Sequence, residues 1–438
     1  MAKTKKKKDT AKRPTRNVEL MPLIIIGMLT VFAFGMWAWR GESVAMPKLH
    51  IVAPGGHATA GTPAEPPPVP FQVPKLPAGA VGKAWRADGD KALMVRPDGS
   101  RLTLTLEPKR QAAIGKLLKR RRVAYSAVVI IDAKTGRVQI WADHTEKNDP
   151  AARGHSLATS KGPAASVIKI VTTSALLEAG VERTTKTCFH GGLRGIKKWH
   201  LKPRPEFDKR CESLTQALAR SSNVVFARRT LQHLGVGALA NTAERFYFGH
   251  DLRFDVRGRK SRFSEGTSKL RRARAAAGFV GATLSPLHGA VIGAAIANDG
   301  MAMQPHLIVS DSAQPGHVRE PAELGRMVSA EHAKSLMSML ATTTVDGTAR
   351  KAFRTWPREL VHIGVAGKTG SLNGRSGPYR HYSWFVGAAP ATKPEIGFAV
   401  LAVNGKKGRS KAAALARDAL AIWFGDRRMK EADDPLAE

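Results

Sequence analysis

The chain has 438 residues, 43% of them apolar and 24% charged, and both fractions are typical of a globular protein with a sizeable core. They exclude a chain that is disordered throughout. Lysine and arginine outnumber aspartate and glutamate by 70 to 35, which gives a formal charge of +35. This excess predicts an anionic partner, such as nucleic acid, lipid headgroups or an acidic cell-wall polymer.

The N-terminal part of the chain predicts a membrane anchor. Residues 1–19 form a basic tail, and residues 20–39 contain no charged side chain. Twenty apolar residues match the hydrocarbon core of a bilayer, and the run is longer than the apolar region of most cleaved signal peptides. We therefore predict a single-pass transmembrane helix over residues 20–40 in the bacterial inner membrane. The basic tail should stay in the cytoplasm and all later residues should lie outside it, in the periplasm.

The next segments predict a spacer and a small β structure. Eight prolines lie between residues 53 and 78, so we interpret residues 41–78 as an extended extracytoplasmic linker. Residues 79–106 alternate polar and apolar positions with turn signals, which predicts a small β-rich segment. The main domain is predicted over residues 107–425, and residues 426–438 form a tail.

Apolar periodicity in the main domain predicts helices and antiparallel strands. The helices are expected over 108–121, from Pro163 to Gly180, over 214–220 and 224–234, after Ser285-Pro286, and over 410–424. The strands are expected over 125–132, 137–142, 361–371, 381–389 and 396–404. The last three strands, joined by short loops, predict an antiparallel meander. The fold class is therefore α/β (α+β).

A serine and a lysine three residues apart mark the predicted helix that Pro163 opens. Ser166 and Lys169 share one helix face, and the apolar residues Ile168 and Ile170 flank the lysine. Burial and a helix N-terminus lower the pKa of an amine, and a neutral lysine can take the proton of a serine nucleophile. An isolated S-x-x-K pattern is more often an exposed helix surface, so further residues decide its meaning.

Two later clusters supply the remaining parts of an acyl-transfer site. Ser221 and Asn223 can relay a proton and hold Lys169 in place, although Ser and Asn between helices are also typical N-cap residues. Further along, Lys368, Thr369, Gly370 and Ser371 can bind a carboxylate and an extended peptide at a strand edge. The backbone N–H groups of Ser166 and Ser371 are candidates for an oxyanion hole.

A second Lys-Thr-Gly sequence occurs at residues 134–136, before the serine. It follows Asp132 in the expected hairpin turn, where these residue types are ordinary turn formers. We expect it to have no catalytic role.

The motifs S-x-x-K, S-x-N and K-T-G in this order resemble those of penicillin-binding transpeptidases and serine β-lactamases. The surrounding blocks, such as GPAASVIKIVTTSALLEAG, LTQALARSSNVVFARRTLQHLGV and VAGKTGSLN, extend the resemblance over roughly residues 102–425. Within this family the chain resembles the monofunctional, class B-like members. The resemblance implies an antiparallel sheet flanked by helices, with an all-helical subdomain. The active site would lie between these two parts.

The resemblance also implies a function, a D,D-transpeptidase that cross-links peptidoglycan stem peptides ending in D-Ala–D-Ala. Ser166 would form the acyl-enzyme, and β-lactams would acylate the same serine. A glycosyltransferase or scaffold partner is then expected, and neither a metal nor a cofactor. Because no motif accompanies the basic charge, we expect no nucleic-acid partner.

Three other functions remain open. A D,D-carboxypeptidase would differ only in the access of water to the acyl-enzyme. No Glu in the chain is followed by x-x-Leu-Asn, which disfavours a class A β-lactamase. The motifs do not exclude a class D-like enzyme with a carboxylated Lys169, but the predicted membrane anchor and proline-rich spacer fit a wall enzyme better than a soluble β-lactamase. A non-catalytic module that binds penicillin or wall peptide could also carry them.

The chain has two cysteines, Cys188 and Cys211. Without paired histidines at short spacing they are a poor zinc site, and in an oxidising compartment a disulfide is the better prediction.

Overall fold

The computed structural model describes residues 71–77, 85–145, 158, 162–193, 195–374, 380–405 and 410–432. The predicted cytoplasmic tail and membrane anchor lie outside these residues, as does most of the predicted linker. Within the described part of the chain, no helix is both long enough and apolar enough to cross a membrane.

The described strands are short at the N-terminal end and longest in the last third of the chain. In chain order they are β1 (Trp85–Asp88), β2 (Lys91–Val95), β3 (Arg101–Leu104), β4 (Tyr125–Asp132), β5 (Val138–Thr145), β6 (Gly162–Pro163), β7 (Lys186–Phe189), β8 (Arg210–Ser213), β9 (Arg262–Phe263), β10 (Ala282–Leu284), β11 (Met301–Met303), β12 (Ile308–Asp311), β13 (Glu323–Arg326), β14 (Ala366–Asn373), β15 (His381–Ala389) and β16 (Ile396–Asn404).

The described α-helices lie mostly between β5 and β14. In chain order they are α1 (Pro108–Arg121), α2 (Lys169–Glu178), α3 (Leu214–Arg220), α4 (Asn223–His233), α5 (Ala238–Arg245), α6 (Lys269–Ala276), α7 (Pro286–Ala297), α8 (Ala330–Val345), α9 (Arg350–Phe353) and α10 (Ala412–Ala432). Single 3₁₀ turns cover Ala165–Ile168, Lys198–His200 and Arg358–Ile363.

A five-stranded antiparallel sheet forms the centre of the main domain, with strand order β14-β15-β16-β4-β5. Helix α7 packs on one face, and helices α1 and α10 pack on the other. Along β4, Val129 and Ile131 join the core beneath α7, whereas Val128 and Ile130 join the core beneath α1 and α10. Because both faces are covered, this strand is continuously apolar. The antiparallel sheet flanked by helices is thus confirmed.

The other helices form the predicted all-helical part. Helix α2 packs against α4, α5 and α8, and α8 also packs against the edge strand β14. The helix that follows Ser166 and the strand that carries Lys368 therefore both lie where the helical part contacts the sheet.

The small β segment is joined to the main domain rather than separate from it. Strands β1, β2 and β3 form a meander, and β3 pairs with β12 from the middle of the chain. Leu102 and Leu104 of β3 belong to the same core as helix α7. The meander is therefore anchored by apolar burial as well as by strand pairing.

Two predicted boundaries are wrong. The strand expected over 361–371 begins only at Ala366, because Arg358–Ile363 forms a 3₁₀ turn and Gly364 then takes a φ of +56°. Val361 is 65% exposed, so its apolar side chain does not mark a buried strand. The last helix continues through Ala432, and Gly425 does not end it.

Helix α7 lies so close to the sheet that its contact requires a glycine. A Cβ atom on Gly293 would lie 2.0 Å from the carbonyl oxygen of Gly387 in β15.

We expect Gly293→Ala to lower the free energy of unfolding by about 2 kcal/mol or more, because backbone atoms would have to move. The matched control is Gly115→Ala in α1, where nothing lies within 4 Å of the new methyl group. Alanine should raise stability there by about 0.5–1 kcal/mol. Urea unfolding measures both changes in stability. A Gly293→Ala midpoint equal to that of the wild type would contradict the close packing.

Candidate active site

Ser166 and Lys169 lie at the start of the helix that the sequence predicts, with one difference. Gly162 and Pro163 pair with β10 instead of opening the helix, and Ser166 lies in a 3₁₀ turn immediately before α2. Ala165 is held at a φ of +49°, an uncommon conformation for a residue with a side chain. The turn leaves Ser166 partly exposed while Lys169 is completely buried.

The Lys169 amine has four oxygen neighbours. Its Nζ lies 2.9 Å from Ser166 Oγ and 3.3 Å from Ser221 Oγ. It also lies 2.7 Å from Asn223 Oδ1 and 2.8 Å from the carbonyl oxygen of Ala277. The structure therefore brings together the serine and lysine of the first motif and the serine and asparagine of the second.

Two effects hold the pKa of Lys169 well below its usual value. Complete burial removes the ammonium from water, and the charge of Lys368 opposes a second positive charge nearby. No carboxylate is among the hydrogen-bond partners that the described residues offer this amine. Burial and the charge of Lys368 therefore both favour the neutral form of Lys169, the form that a general base requires.

The second motif is a turn between helices α3 and α4. Ser221 ends α3 with a φ of +60°, and this conformation turns its hydroxyl toward Lys169. Asn223 begins α4, and its Nδ2 donates to the Gly192 carbonyl at 2.9 Å. That bond fixes the amide orientation and aims Oδ1 at the lysine. The N-cap interpretation fails, because the Ser222 hydroxyl donates to the buried Glu212 carboxylate and caps no helix N–H.

The third motif lies on the edge strand β14. Lys368 is completely buried, and burial lowers its pKa to about 7. Its Nζ donates to the carbonyl oxygen of Thr369 at 3.0 Å. A Cβ atom on Gly370 would lie 3.0 Å from Val167 Cγ2 and 3.1 Å from the Ala164 carbonyl, so the strand passes directly beside the Ser166 turn. Ser371 is exposed on the same strand.

Sequence reasoning missed two parts of this site. The Ala277 carbonyl, 108 positions after Lys169, gave no signal because any residue supplies a carbonyl. Next to it, Gly278 has a φ of +86°, and its Cβ position would lie 2.2 Å from the Ala165 carbonyl. A glycine after three alanines was the available signal that two backbones approach closely here.

Thr348 is the other missed residue, and it bridges the second and third motifs. Its backbone N–H donates to the Ala219 carbonyl at 3.0 Å, and its Oγ lies 3.2 Å from the same oxygen. The Thr348 and Thr369 hydroxyl oxygens are 2.5 Å apart. With the Thr348 proton directed at Ala219, the Thr369 hydroxyl donates to Thr348. Beside this link, Arg220 and Asp346 form an ion pair at 2.7 Å.

Thr348→Val should slow acylation by a β-lactam about tenfold, because it removes only the hydroxyl that orients Thr369. The backbone bond to Ala219 remains, so the unfolding temperature should change little. Stopped-flow acylation measures the effect, and Thr267→Val on the surface is the control. An unchanged acylation rate would show that Thr369 needs no such support.

The remaining predicted residues lie outside this cluster. The structure joins Cys188 and Cys211 by a disulfide between β7 and β8. The Lys-Thr-Gly sequence at 134–136 forms a hairpin turn, in which the Asp132 carboxylate accepts from the backbone N–H groups of Lys134 and Thr135. This arrangement is the one expected of a turn and involves none of the active-site motifs.

Comparisons with known proteins agree with this geometry. The family model described as Penicillin binding protein transpeptidase domain matches residues 126–421. Peptidoglycan D,D-transpeptidase PbpA from Mycobacterium tuberculosis is 26% identical over 262 residues, covering 56% of this chain and 50% of that protein. Penicillin-binding protein PbpB from Mycolicibacterium smegmatis is 26% identical over 366 residues, covering 75% of this chain and 55% of that protein. The chain thus spans about half the length of the curated relatives it matches.

Solved structures share the fold. The D,D-transpeptidase domain of a peptidoglycan glycosyltransferase from Eggerthella lenta has a TM-score of 0.62 and 26% identity, covering 75% of this chain and 84% of that one. PBPA from Mycobacterium tuberculosis has a TM-score of 0.62 and 21% identity, covering 74% and 82%. Since the family match extends over more than half of its length, the chain belongs to the penicillin-binding protein transpeptidase domain family.

Proposed function

We propose that this chain is a D,D-transpeptidase, a serine acyltransferase that acts on the D-Ala–D-Ala end of peptidoglycan stem peptides. The observation that carries the proposal is the environment of Lys169, whose buried amine contacts the Ser166 hydroxyl and two carbonyl-type oxygens. The name of the PbpA relatives, peptidoglycan D,D-transpeptidase, supports the same reaction.

Hydrogen-bond counting supports Lys169 as the base. A neutral amine has two N–H donors and one lone pair. The Asn223 Oδ1 and the Ala277 carbonyl can only accept, so they take both N–H groups. The lone pair then faces a hydroxyl donor, and Ser166 Oγ, at 2.9 Å, is the nearest one. Ser166 would therefore donate its proton to Lys169.

In the proposed reaction, Ser166 Oγ attacks the carbonyl carbon between the two D-alanines as its proton passes to Lys169 Nζ. The C–N bond then breaks, and the leaving D-alanine amine takes a proton from Lys169 through the Ser221 hydroxyl, which lies 3.3 Å from the lysine. An acyl-enzyme on Ser166 remains. The amine of a second stem peptide attacks the acyl carbon and gives up a proton to the now neutral Lys169. The bond from the acyl carbon to Ser166 Oγ then breaks, and Lys169 passes that proton to Ser166 Oγ as the cross-link forms.

Substrate binding is assigned to the edge strand β14. One side of this strand pairs with β15, and the other faces the helical part, so an extended peptide could pair along it. Lys368 and Thr369 would attract the terminal carboxylate. The backbone N–H groups of Ser166 and Ser371 would stabilise the oxyanion, as Ser166 and β14 lie side by side.

The cellular setting completes the proposal. Residues 20–39 would anchor the chain in the inner membrane with the catalytic domain in the periplasm. There the enzyme would receive glycan strands from a glycosyltransferase or scaffold partner.

Labelling of the full-length chain with a fluorescent penicillin tests this function. We expect a covalent adduct that persists for hours and maps by mass spectrometry to the peptide containing Ser166. A rapidly vanishing adduct would indicate a β-lactamase, and no adduct would indicate a binding module. A stem-peptide analogue ending in D-Ala–D-Ala, supplied with an amine acceptor, then separates transpeptidation from carboxypeptidation by the ratio of the two products.

A further inference from the structure

The loop between β7 and β8, residues 190–209, has an unusual surface. Among the described residues, eight large apolar side chains are exposed, and the two aromatic ones, Trp199 and Phe207, both lie in this loop. They are 46% and 50% exposed, and Leu193 nearby is 87% exposed. Isolated exposed valines are common on soluble domains, but clustered aromatic side chains are typical of a binding surface.

These aromatic side chains are arranged as a stack. The ring of His190 lies 5.3 Å from Trp199 with 16° between the planes, and 5.7 Å from Phe207. The guanidinium of Arg204 lies 4.5 Å above the Phe207 ring. His190 is fixed in turn by a 2.5 Å contact between its Nδ1 and the Asp208 carboxylate. We call Trp199, His190 and Phe207 the aromatic stack.

The loop is held in place by a buried arginine. Arg228 on α4 donates to the backbone carbonyls of Cys188, His200 and Lys202 at 2.7–2.9 Å. It also pairs with the Asp208 carboxylate at 2.7 Å, and both charges are buried. Together with the disulfide that closes the loop, these bonds preform the surface, so little ordering is required when a ligand binds.

The same loop is continuous with the active site. The Asn223 amide, which contacts Lys169 through its oxygen, donates to the Gly192 carbonyl and approaches the Leu193 carbonyl at 3.4 Å. The aromatic stack is therefore on the segment that borders the catalytic cluster.

The loop carries a net positive charge. The sequence from 190 to 209 contains six lysines and arginines and two acidic residues. Both acidic side chains are paired internally, Asp208 with Arg228 and Glu206 with Arg204. The surface therefore presents half-exposed aromatic side chains surrounded by cations, a combination that matches sugars and carboxylates.

We propose that the aromatic stack binds the glycan of the peptidoglycan strand whose stem peptide enters the active site. The pyranose rings would pack against the exposed parts of Trp199 and Phe207, and the surrounding lysines would pair with stem-peptide carboxylates. This inference rests on the proposed function, because it assigns a second contact to the same substrate. The site would hold the polymer while the serine reacts, and a small β-lactam would not need it.

Cosedimentation of the full-length chain in detergent with insoluble peptidoglycan tests the proposal. We expect the double variant Trp199→Ala/Phe207→Ala to bind about tenfold more weakly, whereas Trp199→Tyr/Phe207→Tyr should retain most of the affinity. The matched control, Val236→Ala/Val318→Ala, removes exposed apolar side chains elsewhere and should bind like the wild type. Fluorescent-penicillin acylation should stay within about twofold in all variants, which also shows that the folded site is intact.

The outcomes separate the two proposals. Wild-type binding by the alanine variant would overturn the glycan site while leaving the proposed function unaffected, and equal losses in the valine control would do the same. Absence of penicillin labelling in every protein, including the wild type, would contradict the proposed function itself.

Discussion

Replacing Lys169 by methionine is expected to slow acylation by penicillin about 10³-fold or more, nearly as much as Ser166→Ala, which should abolish it. Methionine fills a similar volume but has no lone pair for the serine proton. Removal of a general base commonly costs 10²–10⁴-fold in rate. None of the four groups that contact the amine, two hydroxyls, an amide oxygen and a backbone carbonyl, is itself a base near neutral pH.

The control for this variant is Lys134→Met, which changes an exposed lysine in the hairpin turn. It should acylate at the wild-type rate. Intact-mass measurements over time give the acylation rate of each protein, and thermal unfolding confirms that the variants are folded. Acylation of Lys169→Met within tenfold of the wild type would assign the base to another group and contradict the proposed proton path.

Much of the fold could be predicted because its signals are local. The helix at Pro108–Arg121 and the strands at Tyr125–Asp132, His381–Ala389 and Ile396–Asn404 are confirmed at or close to the predicted bounds. Each is a compact apolar pattern bounded by turn residues. The turn at Arg358–Ile363 could not be predicted in this way, since its exposed valine reads like a strand residue. It is fixed instead by a bond from Trp356 Nε1 to the Leu360 carbonyl.

The site shows the same division between local and long-range information. The serine and lysine of the first motif are three residues apart, and their contact follows from that spacing. The contributions of Ala277 and Thr348 depend on backbone atoms and a hydroxyl that reach the site from more than 100 positions away. A sequence contains no pattern for such contacts, because almost any residue supplies a carbonyl and threonine is common in helices and loops.

Replacing Lys368 by methionine should lower the second-order rate of penicillin acylation about 10²-fold and at the same time stabilise the fold. The lost rate reflects the loss of a charge-assisted contact to the ligand carboxylate. The gain in stability follows from burial. The folded-state pKa of Lys368 is about 7 against 10.5 for an ordinary lysine, so the unfolded chain binds more protons between these values. Wild-type stability should therefore rise with pH from about 7 toward 10.

The lowered pKa of Lys368 predicts two results that a merely structural role of this lysine would not explain together. The stability advantage of Lys368→Met should be largest at or below pH 7 and shrink toward pH 10, by roughly 1.4 kcal/mol for each pH unit. The acylation rate of the wild type should fall above about pH 7, as the lysine loses its charge, and this decline should disappear in Lys368→Met. Lys134→Met, in the other Lys-Thr-Gly sequence, should change neither profile. If the decline above pH 7 persisted in Lys368→Met, another group would hold the carboxylate, and the buried amine of Lys368 would serve only to depress the pKa of Lys169.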